Sequence, residues 1–564
     1  MKFNTIYIVF LIVFWLTNFS NASADSPAGS YLSAIHAEKN FDFVSASRFY
    51  SYGLRKEPYN SKLLLGAIRT TISSGKFAEA KLYSKNLVRH GSDAPISSLM
   101  ILADEIKNKN FKKAKSLLER PDQFNNFLKA ILTGWLEIGS GNIEKGLDYF
   151  EKSQYAKQLG IISQHHLGLA LAMVGNFEKA HLILSKTSNG PIANRREMAI
   201  AHAQILAQLG KNEEAVKMLD QLLVGSVDTR VSKLRRAIDA GAPVRFDYIS
   251  SPQKGAALAL YTIAKAINEE GDYSLSLIYA RLVSHIDEQN PKNILLVSDN
   301  LVKLKQYDLA IENYKKIPLK QFQYKNAEVG RAQALFYQGK KDAAIEVLRA
   351  LTKNNPNDIQ LQTTLGNTLR RSFKFSEAAT AYTKSINFLK EQSLENWFEY
   401  YARGICYERL GNWTLAEKDF RNALKINPNQ PSLLNYFGYS LVEKGIHLDE
   451  ALLLIERAVE RQPDDGYITD SLGWALYRLG KYSDAVIHME RAVELMPLDP
   501  IINDHLGDVY WAVNRRNEAR FQWHRALSFD PEEKDADRIY KKLDIGLDAV
   551  LISEENLKAS INED

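Results

Sequence analysis

An all-α solenoid of about fourteen stacked helix pairs is the fold class this chain predicts, and three observations predict it. Pro428, Pro463, Pro497 and Pro531 stand 35, 34 and 34 residues apart, and Gly404, Gly438, Gly473 and Gly507 stand 34, 35 and 34 apart. Small residues recur at fixed offsets in that frame: Ala416, Ala451, Ala485 and Ala519, then Ala423, Ala458, Ala492 and Ala526. Large residues (Phe420, Ile455, Met489 and Trp523) follow the first alanine of each set by four places. Small side chains let two helices approach closely, and large ones fill the gap to the next pair. Proline closes each unit because it cannot continue the second helix.

The Ala416-type position continues upstream through Ala378, Ala344, Ala310, Ser276, Ala215, Ala180, Gly146, Ala114, Ala80 and Ala46. From the N-terminus the steps are 34, 34, 32, 34, 35, 61, 34, 34, 34, 38, 35, 34 and 34. A fixed period in this range is the mark of a repeat array, in which no unit can bury its apolar face alone. Many units also keep a glycine at the bend between their helices: Gly75, Gly141, Gly175, Gly210, Gly271, Gly339, Gly411, Gly445 and Gly480.

Taken in order, residues 1–24 read as a secretory signal. Lys2 precedes an apolar run from Ile6 to Leu16, and Ala22-Ser23-Ala24 offers a small-residue cleavage site. The run is shorter than the ~20 apolar residues that cross a bilayer. The expectation is a chain exported after cleavage at Ala24, periplasmic in a bacterium, with no lipid-anchor cysteine and no transmembrane segment once the signal is removed. An uncleaved anchor is the alternative. Residues 25–225 form a degenerate N-terminal array, and the step of 61 leaves an insertion at 226–251, read as the boundary between two arms. A middle array follows at 252–396 and a well-formed one at 397–533. The step of 38 predicts a longer second helix or turn near Leu389–Glu395, and 534–564 a capping helix over Ala536–Leu551 with a polar tail.

The pattern of Gly404, Tyr407, Gly411, Ala416, Phe420, Ala423 and Pro428 resembles the tetratricopeptide repeat family. That resemblance implies a right-handed α-α superhelix whose first helices line a concave groove, with places 2, 5, 9, 12 and 13 of each repeat facing it. In the repeats starting at Trp397, Pro431, Gly466 and Pro500, these places include Tyr401, Glu408 and Arg409, then Asn435, Tyr439 and Glu443. Tyr467, Asp470, Trp474, Tyr477 and Arg478 follow, then Asp504, Asp508 and Trp511. Tyr, Trp and Arg are the side chains enriched where partners are gripped. The Lys, Arg and Asn set that holds a free C-terminal carboxylate in some members of the family is not among these places. Residues 397–530, with Asp470-Ser471-Leu472-Gly473-Trp474 and His505-Leu506-Gly507-Asp508, resemble exported bacterial adaptor proteins that bind a carboxyl-terminal processing protease.

Composition and motifs narrow the function. A net charge of +5 on 564 residues is close to neutral and calls for no nucleic-acid partner. The lone Cys406 excludes an intramolecular disulfide and reads as a buried apolar residue. No metalloprotease, P-loop, nucleophile-elbow or dinucleotide motif occurs. His165-His166 point about 100° apart on a helix and read as packing rather than a metal site. Asp465, Asp499 and Asp530 lie at junctions between repeats and read as helix caps. Arg195-Arg196, Arg235-Arg236 and Arg515-Arg516 read as solvated faces. The function expected is a non-enzymatic scaffold without metal or cofactor, binding protein partners, among them a periplasmic protease and its substrate. The other readings are an envelope-assembly factor that stacks peptidoglycan or another glycan, and a self-assembling structural protein.

Overall fold

The computed structural model describes residues 27–92, 94–120, 124, 126–153, 160–187, 195–223 and 229–561. Residues 1–24, read above as a secretory signal, lie outside them. Among the described residues there are 31 helices and no strand. Fourteen antiparallel pairs account for 28 of the helices, beginning with Pro27–Lys39 and Phe43–Lys56 and ending with Pro500–Ala512 and Arg516–Leu527. The other three are Thr229–Asp239, Glu533–Ile545 and Leu547–Ile561. Each repeat anchor named above falls on the second helix of its pair, and Ala46, Ala80, Ala114, Ala180, Ala215, Ser276, Ala310, Ala344, Ala378, Ala416, Ala451, Ala485 and Ala519 are all 0% exposed.

The large residue four places after the anchor seats first within its own pair. A Cβ on Gly404 would lie 2.7 Å from the Phe420 ring, one on Gly473 2.7 Å from Met489, and one on Gly507 2.4 Å from Trp523. The glycine of the first helix is therefore the socket for the large side chain of the second. Phe420 also reaches the next pair, with ring centroids 5.8 Å from Tyr436 and 5.4 Å from Phe437.

The bend requires a left-handed residue. Gly75, Gly175, Gly411 and Gly480 have φ between 76° and 86°, a conformation that costs glycine little. In five repeats the same place holds Phe41, Lys109, Lys305, Phe373 or Asn514, with φ between 58° and 63°. For such residues the left-handed region costs about 1–2 kcal/mol. Lys305→Gly is expected to raise the stability of its unit by about 1 kcal/mol, after glycine's greater freedom in the unfolded chain is discounted. Calorimetric melting of parent and variant checks it.

The chain divides into two compact units, Met1–Val347 and Leu348–Asp564, with the division falling inside helix Lys341–Asn354. In the first unit, helices Asn212–Leu223 and Thr229–Asp239 belong to a small apolar cluster around Ile200 and Leu219, whereas the hairpin that follows residues 229–251 belongs to the larger one. Helix Pro252–Glu269 packs against Asn126–Gly139, and Tyr273–Ile286 packs against Ser61–Ser74 and Pro95–Lys107. These partners are all first helices of N-terminal repeats, so the hairpin fills their concave face. Trp135, fully buried at place nine of its repeat, abuts Gly255, where a Cβ would lie 2.3 Å from the indole. Arg281, buried, donates from Nε to the Ser73 carbonyl at 3.0 Å. Burial holds its guanidinium down to about 10. His285 Nε2 lies 3.2 Å from Asp104 Oδ1, and Lys81 pairs with the same carboxylate at 2.7 Å.

In the second unit the core runs from Ile386 to Leu547. The longer step of the array is a helix of 17 residues, Phe375–Glu391. The C-terminal cap is two helices rather than one, broken at Gly546, whose φ of 82° and ψ of 156° cannot continue a helix. Asp465 accepts from the Tyr467 and Ile468 backbone N–H groups and Asp499 from those of Ile501 and Ile502, so both are N-caps. Asp530 is not one: the residue before helix Glu533–Ile545 is Glu532, which makes no side-chain cap bond, and Asp530 itself turns the chain at φ 55°. Two of the arginines read as solvated are also engaged: Arg235 bonds Asp220 and Asp239, and Arg516 lies 3.7 Å over the Trp511 ring.

Candidate functional site: the concave face of the C-terminal unit

Four first helices, Trp397–Arg409, Pro431–Lys444, Gly466–Arg478 and Pro500–Ala512, carry the residues singled out from the sequence. Those side chains separate into three groups with different surroundings.

The first group is mostly packing. Tyr401 is ringed by Trp397, Tyr436 and Phe420 at 5.7, 5.8 and 6.3 Å, and burial pushes its hydroxyl up. Glu408 accepts from the Tyr436 hydroxyl at 3.2 Å and lies 3.5 Å from Arg409, whose guanidinium is exposed.

The second group is the open part of the face. Trp474 donates from Nε1 to Glu443 at 2.8 Å, and Arg478 lies 3.6 Å from the same carboxylate. The Trp474 ring stacks with Tyr477 at 4.9 Å and with His505 at 4.2 Å. Tyr439 is half-buried beside Glu443, Asp470 and Arg478, and its hydroxyl is pushed up, first by burial and then by the two carboxylates. Asn435 carries a buried Oδ1 without a hydrogen-bond partner. Tyr467 is exposed, and its hydroxyl donates to Asp499 at 3.1 Å. Asp470 is buried and bound to His505, whose Nδ1 lies 3.0 Å away.

The third group is taken by the chain's own C-terminal helices. Lys542, 0% exposed, places its ammonium 2.8 Å from Asp504 and 2.7 Å from Asp508. The Trp523 indole N–H and Arg538 also donate to Asp508, at 2.9 and 3.4 Å. Trp511 donates to Asp548 at 3.0 Å. Asp504, Asp508 and Trp511 thus bind helices Glu533–Ile545 and Leu547–Ile561 of the same chain.

His505 and Lys542 were not among the residues chosen from the sequence. His505 occupies a packing place of its repeat, and only its contact 35 residues away with Asp470 reveals it. Burial alone would depress its pKa, but Asp470, Asp504 and Asp508 outweigh burial and raise it above the ordinary value. A raised folded-state pKa gives stability that is complete below the unfolded value of about 6.5 and lost as pH rises through the folded one. Asp504, raised by burial and by Asp508, acts in the same direction at lower pH. The C-terminal unit is therefore expected to melt at a lower temperature at pH 8.5 than at pH 6. His505→Gln should flatten that difference in a pH series of melting curves.

The remaining titratable candidates are structural. His166 is buried, accepts from the Trp135 indole at 2.9 Å and is pushed down to about 3 by burial. Burial pushes the Cys406 thiol up to about 12, far from thiolate reactivity. Among the described residues no group of three or more His, Cys, Asp or Glu is arranged to hold a metal ion. No described helix is long and apolar enough to cross a membrane.

Comparison with known proteins gives the repeats their name. Tetratricopeptide repeat models match residues 299–359, 329–387, 397–430 and 437–500. Those stretches carry tetratricopeptide repeats. A TPR repeat-containing protein of Pseudomonas aeruginosa is 30% identical over 160 residues, which is 28% of this chain and 26% of that relative. The chain thus spans about a quarter of the length of that relative. Among solved structures, the Cut9–Hcn1 hetero-tetramer of APC/C is similar at 15% identity and a TM-score of 0.38, covering 93% of this chain and 97% of that one. A tetratricopeptide repeat protein from Parabacteroides merdae has 17% identity and a TM-score of 0.38, over 46% of this chain and 99% of that one. YrrB, described as a TPR protein with an unusual peptide-binding site, has 21% identity and a TM-score of 0.28, over 35% of this chain and 99% of its own. Tetratricopeptide repeats are protein-binding scaffolds, and their presence here is a statement about architecture.

Proposed function

We propose that this chain is a non-enzymatic adaptor that binds a protein partner on the concave face of its C-terminal unit. The observation that carries this reading is the open group at places 9, 12 and 13 of successive repeats: Tyr439 and Glu443, then Trp474, Tyr477 and Arg478. They combine ring area with a cation and an anion 3.6 Å apart, the chemistry of interface anchors. The triple variant Trp474→Ala, Tyr477→Ala, Arg478→Ala should lose the partners that the parent chain co-purifies from its native extract, with at least a tenfold drop in recovery, since two or more anchors at about 2 kcal/mol each are removed. Equal recovery by a variant with unchanged circular dichroism defeats the reading.

The finer points are proposals of the same kind. Export is supported by the apolar run Ile6–Leu16 followed by Ala22-Ser23-Ala24. A mature N-terminus at Asp25 in the periplasmic fraction is the expected result, and an intact Met1 in the cytoplasm is the contrary one. A carboxyl-terminal processing protease as partner rests on the resemblance of residues 397–530 to exported adaptors. The glycan reading has less support, because sugar stacking needs an open ring face and Trp474 already stacks with both Tyr477 and His505.

A further inference from the structure

The 27-residue excess in the array contains a segment with a second periodicity, Pro243-Val244-Arg245-Phe246-Asp247-Tyr248-Ile249. It is neither helix nor strand; Val244, Phe246 and Tyr248 are partly buried, while Arg245 and Asp247 between them are exposed. Alternation of this kind marks an extended segment lying with one face on a surface. The surface is helix Arg195–Gln208, the first helix of the sixth repeat. Gln204, 6% exposed, donates its side-chain amide to Asp247 Oδ1 at 2.7 Å, and its side-chain oxygen accepts the Asp247 backbone N–H at 3.3 Å. Gln208 donates to the Val244 carbonyl.

With Ala215 as anchor, Gln204 and Gln208 hold places 9 and 13 of their repeat, the places of Trp474 and Arg478 in the C-terminal unit. Glu197, at place 2, pairs with Lys292 at 2.7 Å, and the Lys292 ammonium lies 4.9 Å over the Tyr248 ring. Ile249 is 4% exposed and belongs to the large core of the first unit, whereas Val244 packs on the separate cluster around Ile200 and Leu219. The segment is thus gripped by backbone hydrogen bonding from groove places and by apolar side chains at alternate positions.

We propose that residues 243–249 are a built-in occupant of the sixth repeat's groove, a strap that excludes extended peptides and exchanges with a partner peptide of the same pattern, apolar and aromatic residues alternating with an Asp. Tethering gives the strap a millimolar effective concentration, so a free peptide competes poorly until the strap is removed. This proposal concerns the first unit and is independent of the C-terminal face.

The test uses the full chain with residues 243–249 replaced by a Gly/Ser segment of equal length. The probe is a labelled synthetic peptide of residues 241–251 carrying Arg245→Gln. The strap-replaced chain is expected to bind the probe at least about tenfold more tightly than the native chain, and Gln204→Ala in it to reverse the gain. Equal affinity for both chains, or no binding by a strap-replaced chain with native circular dichroism, overturns the proposal. Two measurements on chains that keep residues 243–249 stand whether or not the replacement folds. Saturating probe should raise tryptic cleavage after Arg245 several-fold, and Gln204→Ala with Gln208→Ala should do so without probe. Unchanged cleavage in both overturns it as well.

Discussion

Replacing Lys542 with alanine is expected to cost the C-terminal unit about 3–5 kcal/mol, because it strands the buried Asp508 and the largely buried Asp504. The ammonium is 0% exposed and sits within 2.8 Å of both Asp504 and Asp508, which lie one helical turn apart on helix Pro500–Ala512. Without it, the nearest cation is Arg538, 3.9 Å from Asp504 and 3.4 Å from Asp508. The two aspartates then repel, and one must take up a proton or draw in water. The structural consequence should be release of helix Glu533–Ile545, whose Ile539 and Leu543 cover the last repeat. Melting curves and limited proteolysis of residues 533–561 measure both effects. The combined change Asp504→Asn, Asp508→Asn, Lys542→Met removes the charges together and should recover most of the loss, since a buried ion cluster contributes far less than its broken half costs. A single Lys542→Ala variant that melts with the parent contradicts the assignment.

The second large effect lies in the first unit. Gly255→Leu should destabilise it by about 3 kcal/mol, the upper end of the cost of overpacking a core. Even the Cβ would lie 2.3 Å from the Trp135 indole, and that ring cannot step aside. It is fully buried, donates to His166 and packs edge-on against Phe150 at 5.4 Å. Pairing Gly255→Leu with Trp135→Ala should recover part of the loss, as leucine enters the space the indole leaves. Urea denaturation of both variants checks this. If Gly255→Leu is neutral, the hairpin 252–286 does not occupy the concave face of the N-terminal repeats.

These two sites mark the limit of what the sequence makes legible. Within a repeat, every decisive contact joins residues about 16 apart, such as Gly404 with Phe420 or Gly507 with Trp523, so a period of 34 displays the local packing directly. The left-handed bend is equally local, and glycine betrays it wherever glycine is used. The return of residues 252–286 onto the early repeats leaves no such trace, because Arg281 and Ser73 are 208 residues apart and nothing periodic links them. The strap at 243–249 was visible only as excess length; its alternation of apolar and polar residues was the available signal.

On the candidate face, position within the repeat selects side chains of the first helices. It could not say which of them the chain itself engages. Asp504, Asp508 and Trp511 are already bound by the C-terminal helices, whereas Trp474, Tyr477 and Arg478 remain partly accessible. Lys542 could have been noticed: a lysine between Ile539 and Leu543 falls on the buried stripe of its helix and so requires an anionic partner.

Photo-crosslinking from single positions in the intact chain, in its native cells, tests the adaptor reading most directly. A crosslinking amino acid at Arg478 reports the concave face, and one at Ile487, 67% exposed on a second helix, reports the outer face. The account predicts a discrete protein adduct from 478 and none from 487, with the 478 adduct abolished by Trp474→Ala and Tyr477→Ala. Adducts from 487 alone, or adducts from 478 that survive both substitutions, contradict it.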